Sequence, residues 1–282
     1  MEQNLVYFTV AAMCRVLNVS RSSFYAARKR EPSRRSTEDL ALREKIVSLH
    51  TGQRKIPGAV KTWKLLNARG IICGKHRVAR LRKLDGIESQ RKARFRVMRT
   101  HQKREPAAPD LVKRAFMVAA PNKVWVGDMT TIQTRQGWLH LAIVIDLYAR
   151  RVVGWALGVT QAAGLPIAAL RMAIAQRAPN AGLICHTDQG AVYGSSRYRQ
   201  VLTDHGLRAS MSRPGNCHDN AVPESFFSNL KNELTHHQIY DDRELAKRDI
   251  GDYIELYYNR QRLHQTLQYS TPAEYEARYQ SA

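Results

Sequence analysis

Residues 219–233 read DNAVPESFFSNLKNE, and this stretch predicts a helix whose start is marked by its own residues. Asn220 is a residue type that caps backbone N–H groups, and Pro223 suits the first helical position because no N–H donor is needed there. Glu224 then falls in the first turn, where the helix dipole favours a carboxylate. Seven residues on, Lys231 returns to within about 20° of Glu224 around the helix axis. One side of the helix is therefore predicted to carry a carboxylate and a cation.

An ordinary amphipathic surface helix is the competing interpretation of this stretch. Phe227, Leu230 and Leu234 fall on a second, apolar face that suits packing on a sheet. A glutamate followed seven residues later by a lysine is weak evidence for a site when it stands alone. The functional interpretation therefore depends on what the rest of the chain supplies.

Two aspartates upstream supply further carboxylates at the ends or middles of apolar runs. Asp128 lies in VWVGDMTTI and Asp188 lies in LICHTDQG, and 35 residues separate Asp188 from Glu224. Carboxylates on different elements of one core can hold hard divalent cations, which take oxygen ligands. Two such ions about 4 Å apart can activate a nucleophile and stabilise the leaving oxygen in phosphoryl transfer. We therefore predict that Asp128, Asp188 and Glu224 are the catalytic, metal-binding residues.

Other acidic and histidine residues near these positions have simpler interpretations. Asp146 ends an apolar run beside a turn, and a turn contact or an ion pair with a nearby arginine is favoured for it. Asp219 belongs to the turn before the helix, and Glu233 is too far along the helix to meet the two aspartates. His186 and His218 flank the predicted site, where they could contact phosphate or water, and neither is predicted as a ligand.

Four segments carry a resemblance to a known family. WVGDMT, HTDQG and DNAVPESFFSNLKNE, together with YNRQRLHQTLQYSTPAEYE at residues 258–276, resemble the acidic-triad transposases and retroviral-type integrases. Over nearly the whole chain, the sequence is similar to the second-reading-frame subunit of a two-frame bacterial insertion-sequence transposase of insertion sequence family three. The motif from Ser212 to Glu233 is its most specific part.

The resemblance implies an activity, a cofactor and partners. The activity would be that of a metal-dependent polynucleotidyl transferase, which cuts element ends in double-stranded DNA and joins the 3′-hydroxyl ends to other DNA. The cofactor would be two Mg²⁺ ions, for which Mn²⁺ could substitute. The family's full transposase is usually a fusion with a first-frame protein, so such a fusion or partner is expected here. We also expect a homo-oligomer on DNA.

The hydrophobic pattern changes at Val124 and predicts an α/β core. The order of predicted elements is β-β-β-α-β-α-β-α, which is that of the ribonuclease-H-like fold, a mixed five-stranded sheet with helices. The resemblance implies the same integrase core. The predicted strands cover 124–132, 138–147, 151–158, 183–187 and 207–212, and the predicted helices cover 165–177, 195–204 and the Glu224 helix.

The charge of the chain is large and uneven. The formal net charge is +21, of which residues 1–120 carry +19 and residues 121–282 carry +2. A basic half beside a nearly neutral half is typical of a nucleic-acid-binding region joined to a catalytic core. A general solubility charge or an RNA-binding tail is the alternative. The four cysteines have no zinc-site spacing, and neither a signal peptide nor a long apolar run is present, so we expect a cytoplasmic protein. The resemblance implies that it is bacterial and associated with the nucleoid.

The basic half predicts helix-turn-helix-like modules. Residues 9–30 read as two short helices, with Val10, Met13, Val16 or Leu17, and Phe24 packed between them. Ser20 would cap the second helix and Arg21 would face DNA. An ordinary helical hairpin is equally compatible with this stretch. Three further helices are predicted at 40–50, 57–69 and 75–84. In the last, Val78, Leu81 and Leu84 would point inward and Arg77, Arg80, Arg82 and Lys83 outward, and Arg77 and Arg80 are predicted to contact DNA.

The predicted domain boundaries follow these changes of pattern. Residues 1–37 form a helix-turn-helix-like segment and linker, 38–104 a basic helical DNA-binding module ending in a basic run, and 105–120 a linker. Residues 121–236 form the integrase core and 237–282 a helical tail.

The C-terminal motif offers further candidate DNA contacts. Arg260, Arg262 and His264 follow a predicted helix over 241–259, and they could either bind DNA or pack the tail on the core. Lys231 could hold a phosphate near the carboxylates as a point charge.

Two rival functions remain compatible with the residues. One is a non-enzymatic DNA-binding regulator with a degenerate integrase core. The other is a structure-specific nuclease that only hydrolyses DNA.

Overall fold

The protein is described here by a computed structural model that covers residues 1–90, 108–212 and 220–280. Several residues named above lie outside these ranges: most of the basic run 90–104, Cys217, His218 and Asp219. Within the described ranges, none of the helices combines the length and the apolar character needed to cross a bilayer.

One mixed sheet of five strands forms the centre of the core. The strands are β1 (Val124–Thr134), β2 (Gly137–Asp146), β3 (Arg151–Gly158), β4 (Ile184–Thr187) and β5 (Arg208–Met211). Their order is β3-β2-β1-β4-β5, with β1, β2 and β3 antiparallel and with β4 and β5 parallel to β1. The predicted α/β fold class, with a mixed five-stranded sheet and helices, is confirmed.

Helices precede, interrupt and follow the sheet. The N-terminal helices are α1 (Val10–Val16), α2 (Arg21–Lys29), α3 (Arg34–Gly52), α4 (Ala59–Ala68) and α5 (Lys75–Leu84). The core helices are α6 (Gly164–Arg177), α7 (Ser196–Asp204), α8 (Ala221–Leu230), α9 (Arg243–Asp252) and α10 (Pro272–Gln280). Two π-helical segments, Lys231–Thr235 and Tyr253–Tyr258, continue α8 and α9.

Alternate residues of β1 face two different apolar layers, because side chains along a strand point to opposite faces. Trp125 belongs to a cluster with Leu170 of α6 and Tyr198 of α7. Its neighbour Val126 belongs to a second cluster with Phe226 of α8, and α9 contributes to that same cluster. The sheet is therefore covered by α6 and α7 on one face and by α8 and α9 on the other.

The first two helices form a small hairpin with capped starts. Thr9 Oγ1 accepts a hydrogen bond from Ala12 N at 3.3 Å, and Ser20 Oγ accepts one from Ser23 N at 3.0 Å. Met13 and Phe24 are buried as predicted. The predicted burial of Val16 or Leu17 is wrong, since both side chains are exposed. Because α1 and α2 are short, their shared interior has room for few side chains.

Helices α3, α4 and α5 form a second small core with Leu42, Ile46, Leu66, Val78 and Leu81. The helix predicted over 40–50 begins earlier, at Arg34, because Ser33 caps it by accepting from Ser36 N at 3.2 Å. That start lies inside the predicted linker.

Two side chains of α5 differ from the prediction. Leu84 is 65% exposed, whereas Arg82 is buried. The Arg82 guanidinium donates to Thr62 Oγ1 at 3.0 Å and lies 3.4 Å from His50 Nδ1. Arg82 thus fills the interior with its aliphatic stem while its polar end finds partners there.

The loop after α3 joins this module to the core formed by the sheet and its helices. Arg54 Nη1 lies 3.2 Å from Asp249 Oδ1 on α9, and Gln53 Nε2 donates to Gln261 Oε1 at 3.3 Å. Ile56 is buried in the same apolar cluster as α8 and α9. The module and the core therefore share packed side chains.

Gly154 marks the closest approach of a strand to a helix. A Cβ atom at Gly154 of β3 would overlap the carbonyl oxygen of Ala169 on α6 and lie 2.8 Å from the Cβ of Ala173. By contrast, a Cβ at Gly164, at the start of α6, would meet nothing within 4 Å. Only glycine, which has no Cβ atom, allows α6 to pack this closely on β3.

We expect Gly154→Ala to lower the free energy of unfolding by about 1–3 kcal/mol, because an overpacked strand–helix contact must move apart. Gly164→Ala is the matched control and should change it by less than about 0.5 kcal/mol. Urea denaturation followed by circular dichroism measures both. Equal effects of the two substitutions would contradict the proposed close approach.

Candidate active site

Two of the three predicted carboxylates lie at neighbouring positions, Asp128 on β1 and Asp188 directly after the parallel strand β4. In the β1–β4 ladder, Gly127 pairs with Thr187. The next residues along the two chains are Asp128 and Asp188, and adjacent strands lie about 4.8 Å apart. The parallel register therefore brings the two aspartates side by side.

Asp128 is buried on the face of the sheet that α8 covers. It is 3% exposed, and by strand alternation it shares its face with Val126 and Ile132, which pack in the α8 cluster. Its Oδ1 accepts a hydrogen bond from Met129 N at 2.7 Å. Asp188 is half-buried, and its Oδ1 accepts from Gly190 N at 2.9 Å. These backbone N–H groups hold one oxygen of each carboxylate in a fixed position.

Glu224 lies in the first turn of α8, as predicted. The helix packs on β1 and is anchored there by Phe226, Phe227 and Leu230. The start differs from the prediction: Asn220 occupies the N-cap position without a capping side-chain hydrogen bond, and Pro223 is the third helical residue. A proline is still tolerated there, because the first four N–H groups of a helix have no intrahelical partner.

The donor set fits a hard divalent cation by its chemistry, since carboxylate oxygens are the ligands that Mg²⁺ prefers. Within the three described ranges, however, no three His, Cys, Asp or Glu side chains converge closely enough to hold a metal ion. The register brings Asp128 and Asp188 together, and α8 carries Glu224 over the same face of the sheet without closing a three-carboxylate site.

Tyr193 is a buried residue beside the two aspartates that the sequence interpretation missed. It lies in the turn after β4, five residues beyond Asp188, and is buried. Burial, then the negative charge of Asp128, and to a smaller extent Tyr198 and Asp188, raise its pKa well above the usual value. The signal in the sequence was the aromatic residue in HTDQGAVYG, five residues after the second aspartate.

Two other residues near the aspartates have structural roles. His186 is buried, and its Nδ1 lies 2.8 Å from Ser210 Oγ on β5. Asp146 accepts hydrogen bonds from Asn122 N at 2.7 Å and Tyr148 N at 2.9 Å, which fits the predicted turn contact. Burial raises the pKa of Asp146.

Lys231 lies at the end of α8, where the α-helix changes into the π-helical segment. Its side chain is half-buried. Its contact with phosphate stays a prediction.

Glu233 and Arg262 form a buried ion pair that ties the end of α8 to the C-terminal segment. Both side chains are 9% exposed, and Arg262 Nη2 lies 2.8 Å from Glu233 Oε1. Tyr253 donates its hydroxyl to Glu233 Oε2 at 2.7 Å. Burial alone would lower the pKa of Arg262, but the hydrogen bonds and charge of Glu233 raise it. Arg262 is therefore held in the fold, which favours the packing alternative over a DNA contact.

The other two residues of that motif lie in different surroundings. His264 is buried, and burial together with the charges of Arg262, Lys61 and Arg150 lowers its pKa to about 2. A neutral, buried imidazole fits packing better than a phosphate contact. Arg260 is exposed and stays a candidate for binding DNA.

Some basic residues of the N-terminal half are exposed without an ion pair in the described fold, whereas others pair with a carboxylate. Arg21 is exposed at the first position of α2, after the Ser20 cap. Arg77 Nε donates to Asp39 Oδ1 at 2.7 Å, and Arg80 also donates to Asp39. The hydrogen bonds from Arg80 and Arg77 lower the pKa of Asp39. Both arginines therefore already pair with a carboxylate of α3, and their DNA contacts stay predictions.

Comparison with family models defines the class of the protein. An integrase core domain model matches residues 118–217, a second integrase core domain model matches 224–279, and an HTH-like domain model matches 37–95. The protein is therefore an integrase-core protein with an HTH-like domain.

Curated relatives identify the family within that class. The chain is 40% identical to an insertion element IS600 uncharacterized 31 kDa protein of Shigella sonnei, over 95% of this chain and 98% of the relative. It is 39% identical to the transposase for insertion sequence element IS904 of Lactococcus lactis subsp. lactis, over 88% and 98%. It is 34% identical to transposase InsF for insertion sequence IS3A of Escherichia coli K12, over 98% and 96%. The chain belongs to the transposases of insertion sequence family three, which confirms the resemblance drawn from its motifs.

A solved structure is similar at a lower level. The HTLV-2 integrase catalytic core domain in complex with magnesium matches 56% of this chain and 98% of that one, with 18% identity and a TM-score of 0.45.

We expect Arg262→Met to lower the free energy of unfolding by about 3–5 kcal/mol, because it leaves the Glu233 carboxylate buried without its cation. Arg260→Met, on an exposed residue of the same motif, should change it by less than about 0.5 kcal/mol. Chemical denaturation of both variants is the measurement. A stable Arg262→Met protein with weakened DNA binding would instead support the DNA-contact alternative.

Proposed function

We propose that this chain is the catalytic subunit of a transposase that cuts the ends of its element and joins the freed 3′-hydroxyl groups to other DNA. The observation that carries the proposal is the parallel register of β1 and β4, which sets Asp128 beside Asp188 under the helix that bears Glu224. Carboxylates placed in this way serve phosphodiester transfer.

The three carboxylates have the role of holding Mg²⁺, with Mn²⁺ as a substitute. Two bound ions would supply a Lewis acid for the attacking hydroxyl and for the leaving 3′-oxygen. The Asp128 carboxylate would keep one orientation, because it is buried and accepts a hydrogen bond from the backbone N–H of Met129. Lys231, farther along the helix that carries Glu224, would hold a phosphate of the DNA as a point charge.

The DNA partner is proposed from charge and from exposed basic side chains. The first 120 residues carry a net charge of +19, which favours association with a polyanion. Arg21 and Arg260 are exposed, and Arg80 is partly exposed beside its ion pair. The HTH-like region would position element-end DNA, whereas the core would carry out the transfer.

Two further partners are part of the proposal. A first-frame protein, or a fusion to it, would supply additional recognition of the element ends. Two or more copies of this chain would act together, because both ends of an element must be held at once.

Strand transfer tests the proposed function directly. The purified chain, alone and fused to a first-frame protein, is incubated with a labelled element-end oligonucleotide, a target plasmid, and Mg²⁺ or Mn²⁺. Joined product that requires the metal supports a transposase. Cleavage without joining would indicate a nuclease, and binding without either reaction would indicate a regulator.

Asp128→Asn should reduce both cleavage and joining more than about 100-fold. This is a larger loss than is usual when the replaced residue only hydrogen-bonds to a metal ligand. DNA affinity, measured by fluorescence anisotropy, should stay within about twofold of the wild-type value because binding depends on other residues. Asp252→Asn, at an exposed position of α9, is the control and should keep full activity. Cleavage that survives in Asp128→Asn would remove this residue from the catalytic set.

Arg21→Ala should weaken binding to element-end DNA and lower the slope of log affinity against log salt by about one, because one phosphate contact is lost. Arg278→Ala, on an exposed residue of α10, is the matched control. Anisotropy titrations at several salt concentrations give both slopes. An unchanged slope would show that α2 does not touch the DNA backbone.

A further inference from the structure

The Tyr193 hydroxyl is a buried polar group beside the candidate active site. The residue is 3% exposed. Among the residues that the structure describes, none accepts from or donates to this hydroxyl. A buried hydroxyl without a partner costs free energy, so such a group in a folded protein calls for an explanation.

The ring is held in place by its neighbours. A Cβ atom at Gly127 would lie 3.9 Å from Tyr193 Cε1, and one at Gly190 would lie 3.4 Å from Tyr193 Cδ2. Tyr198 packs edge-on against the ring, with 5.3 Å between the ring centroids. Gly127 directly precedes Asp128, and Gly190 follows Asp188 by two residues. The ring is thus packed against the backbone next to each aspartate.

The chemistry of the group suits donation to a carboxylate. An ionised carboxylate only accepts hydrogen bonds, whereas a phenol can donate one. Burial and the nearby negative charges keep the Tyr193 hydroxyl protonated at neutral pH, because they raise its pKa. The charge of Asp128 has the larger effect and that of Asp188 a smaller one. The hydroxyl is therefore a protonated donor within electrostatic reach of two carboxylates.

We propose that Tyr193 is a positioning residue, whose hydroxyl donates a hydrogen bond to the Asp128 carboxylate when a divalent cation is bound. This inference rests on the proposed function, since it assigns a metal to Asp128 and Asp188. The hydrogen bond would hold Asp128 in its ligating orientation, as polar groups behind a metal ligand commonly do.

A purely structural role is the alternative, in which Tyr193 only fills space beneath the strand ends. The two roles predict different results for Tyr193→Phe, which removes the hydroxyl and keeps the ring. Because the hydroxyl has no partner in the described fold, its removal should leave the melting temperature of the metal-free protein unchanged or higher. A positioning role predicts, in addition, weaker binding of the cation.

The experiment is a titration of the full chain with Mn²⁺ by isothermal calorimetry, paired with thermal melts with and without Mn²⁺. The variants are Tyr193→Phe, the matched control Tyr198→Phe, and Asp188→Asn. Tyr198 is also buried, and its pKa is raised by burial and by Cys185, with neither aspartate among the causes. We expect the Mn²⁺ dissociation constant to rise about tenfold in Tyr193→Phe and to stay unchanged in Tyr198→Phe.

The outcomes separate this inference from the function on which it rests. Wild-type affinity for Mn²⁺ that disappears in Asp188→Asn but is unchanged in Tyr193→Phe would overturn the role of Tyr193 alone. A wild-type protein that binds no Mn²⁺, even with element-end DNA present, would overturn the metal site and this inference together. A drop in the metal-free melting temperature of Tyr193→Phe would show a partner within the fold and would also overturn it.

Discussion

The parallel pairing of β1 with β4 is the constraint on which the candidate site depends. Side chains alternate along a strand, so a shift of one residue would turn Asp128 away from α8 and into the layer formed by α6 and α7. The register is held by the apolar residues on both faces of β1, which pack in two separate layers. The position of the Asp128 carboxylate is thus fixed by the burial of its neighbours on β1. The position of Asp188 follows from the pairing of β4 with β1.

The helix that bears Glu224 is fixed from its far end as well as from its apolar face. Glu233 and Arg262 are removed from water together, and burying such a pair is tolerable only when its geometry satisfies the remaining donors and acceptors. Tyr253 supplies one of those hydrogen bonds. Glu233 and Tyr253 each lie in a π-helical segment. Such segments are uncommon and often mark functional regions. The C-terminal segment consequently packs against the core through this network.

The positive charge of the N-terminal half acts through the folded module that carries it. Arg43 is paired with Asp85, and Arg77 and Arg80 with Asp39, so several arginines also hold α3 and α5 together. Their charge still contributes to the overall field, which attracts a polyanion before any specific contact forms. Ile56 and Arg54 dock the same module on the core. The module that carries these arginines is therefore packed directly on the core.

The fold class, the family and the succession of strands and helices could be predicted from the sequence, because periodicity and short motifs are local properties of the chain. The sequence placed Asp128 and Asp188 as site candidates, and their catalytic role stays a prediction. It did not reveal that Arg82 is buried, that Arg262 pairs with Glu233, or that Tyr193 lies beside the aspartates. Each of these depends on contacts between segments far apart in the sequence, and on which polar group finds a partner once water is excluded. Only the tertiary structure decides that, since the same arginine is a surface cation or an interior hydrogen-bond donor according to what packs around it.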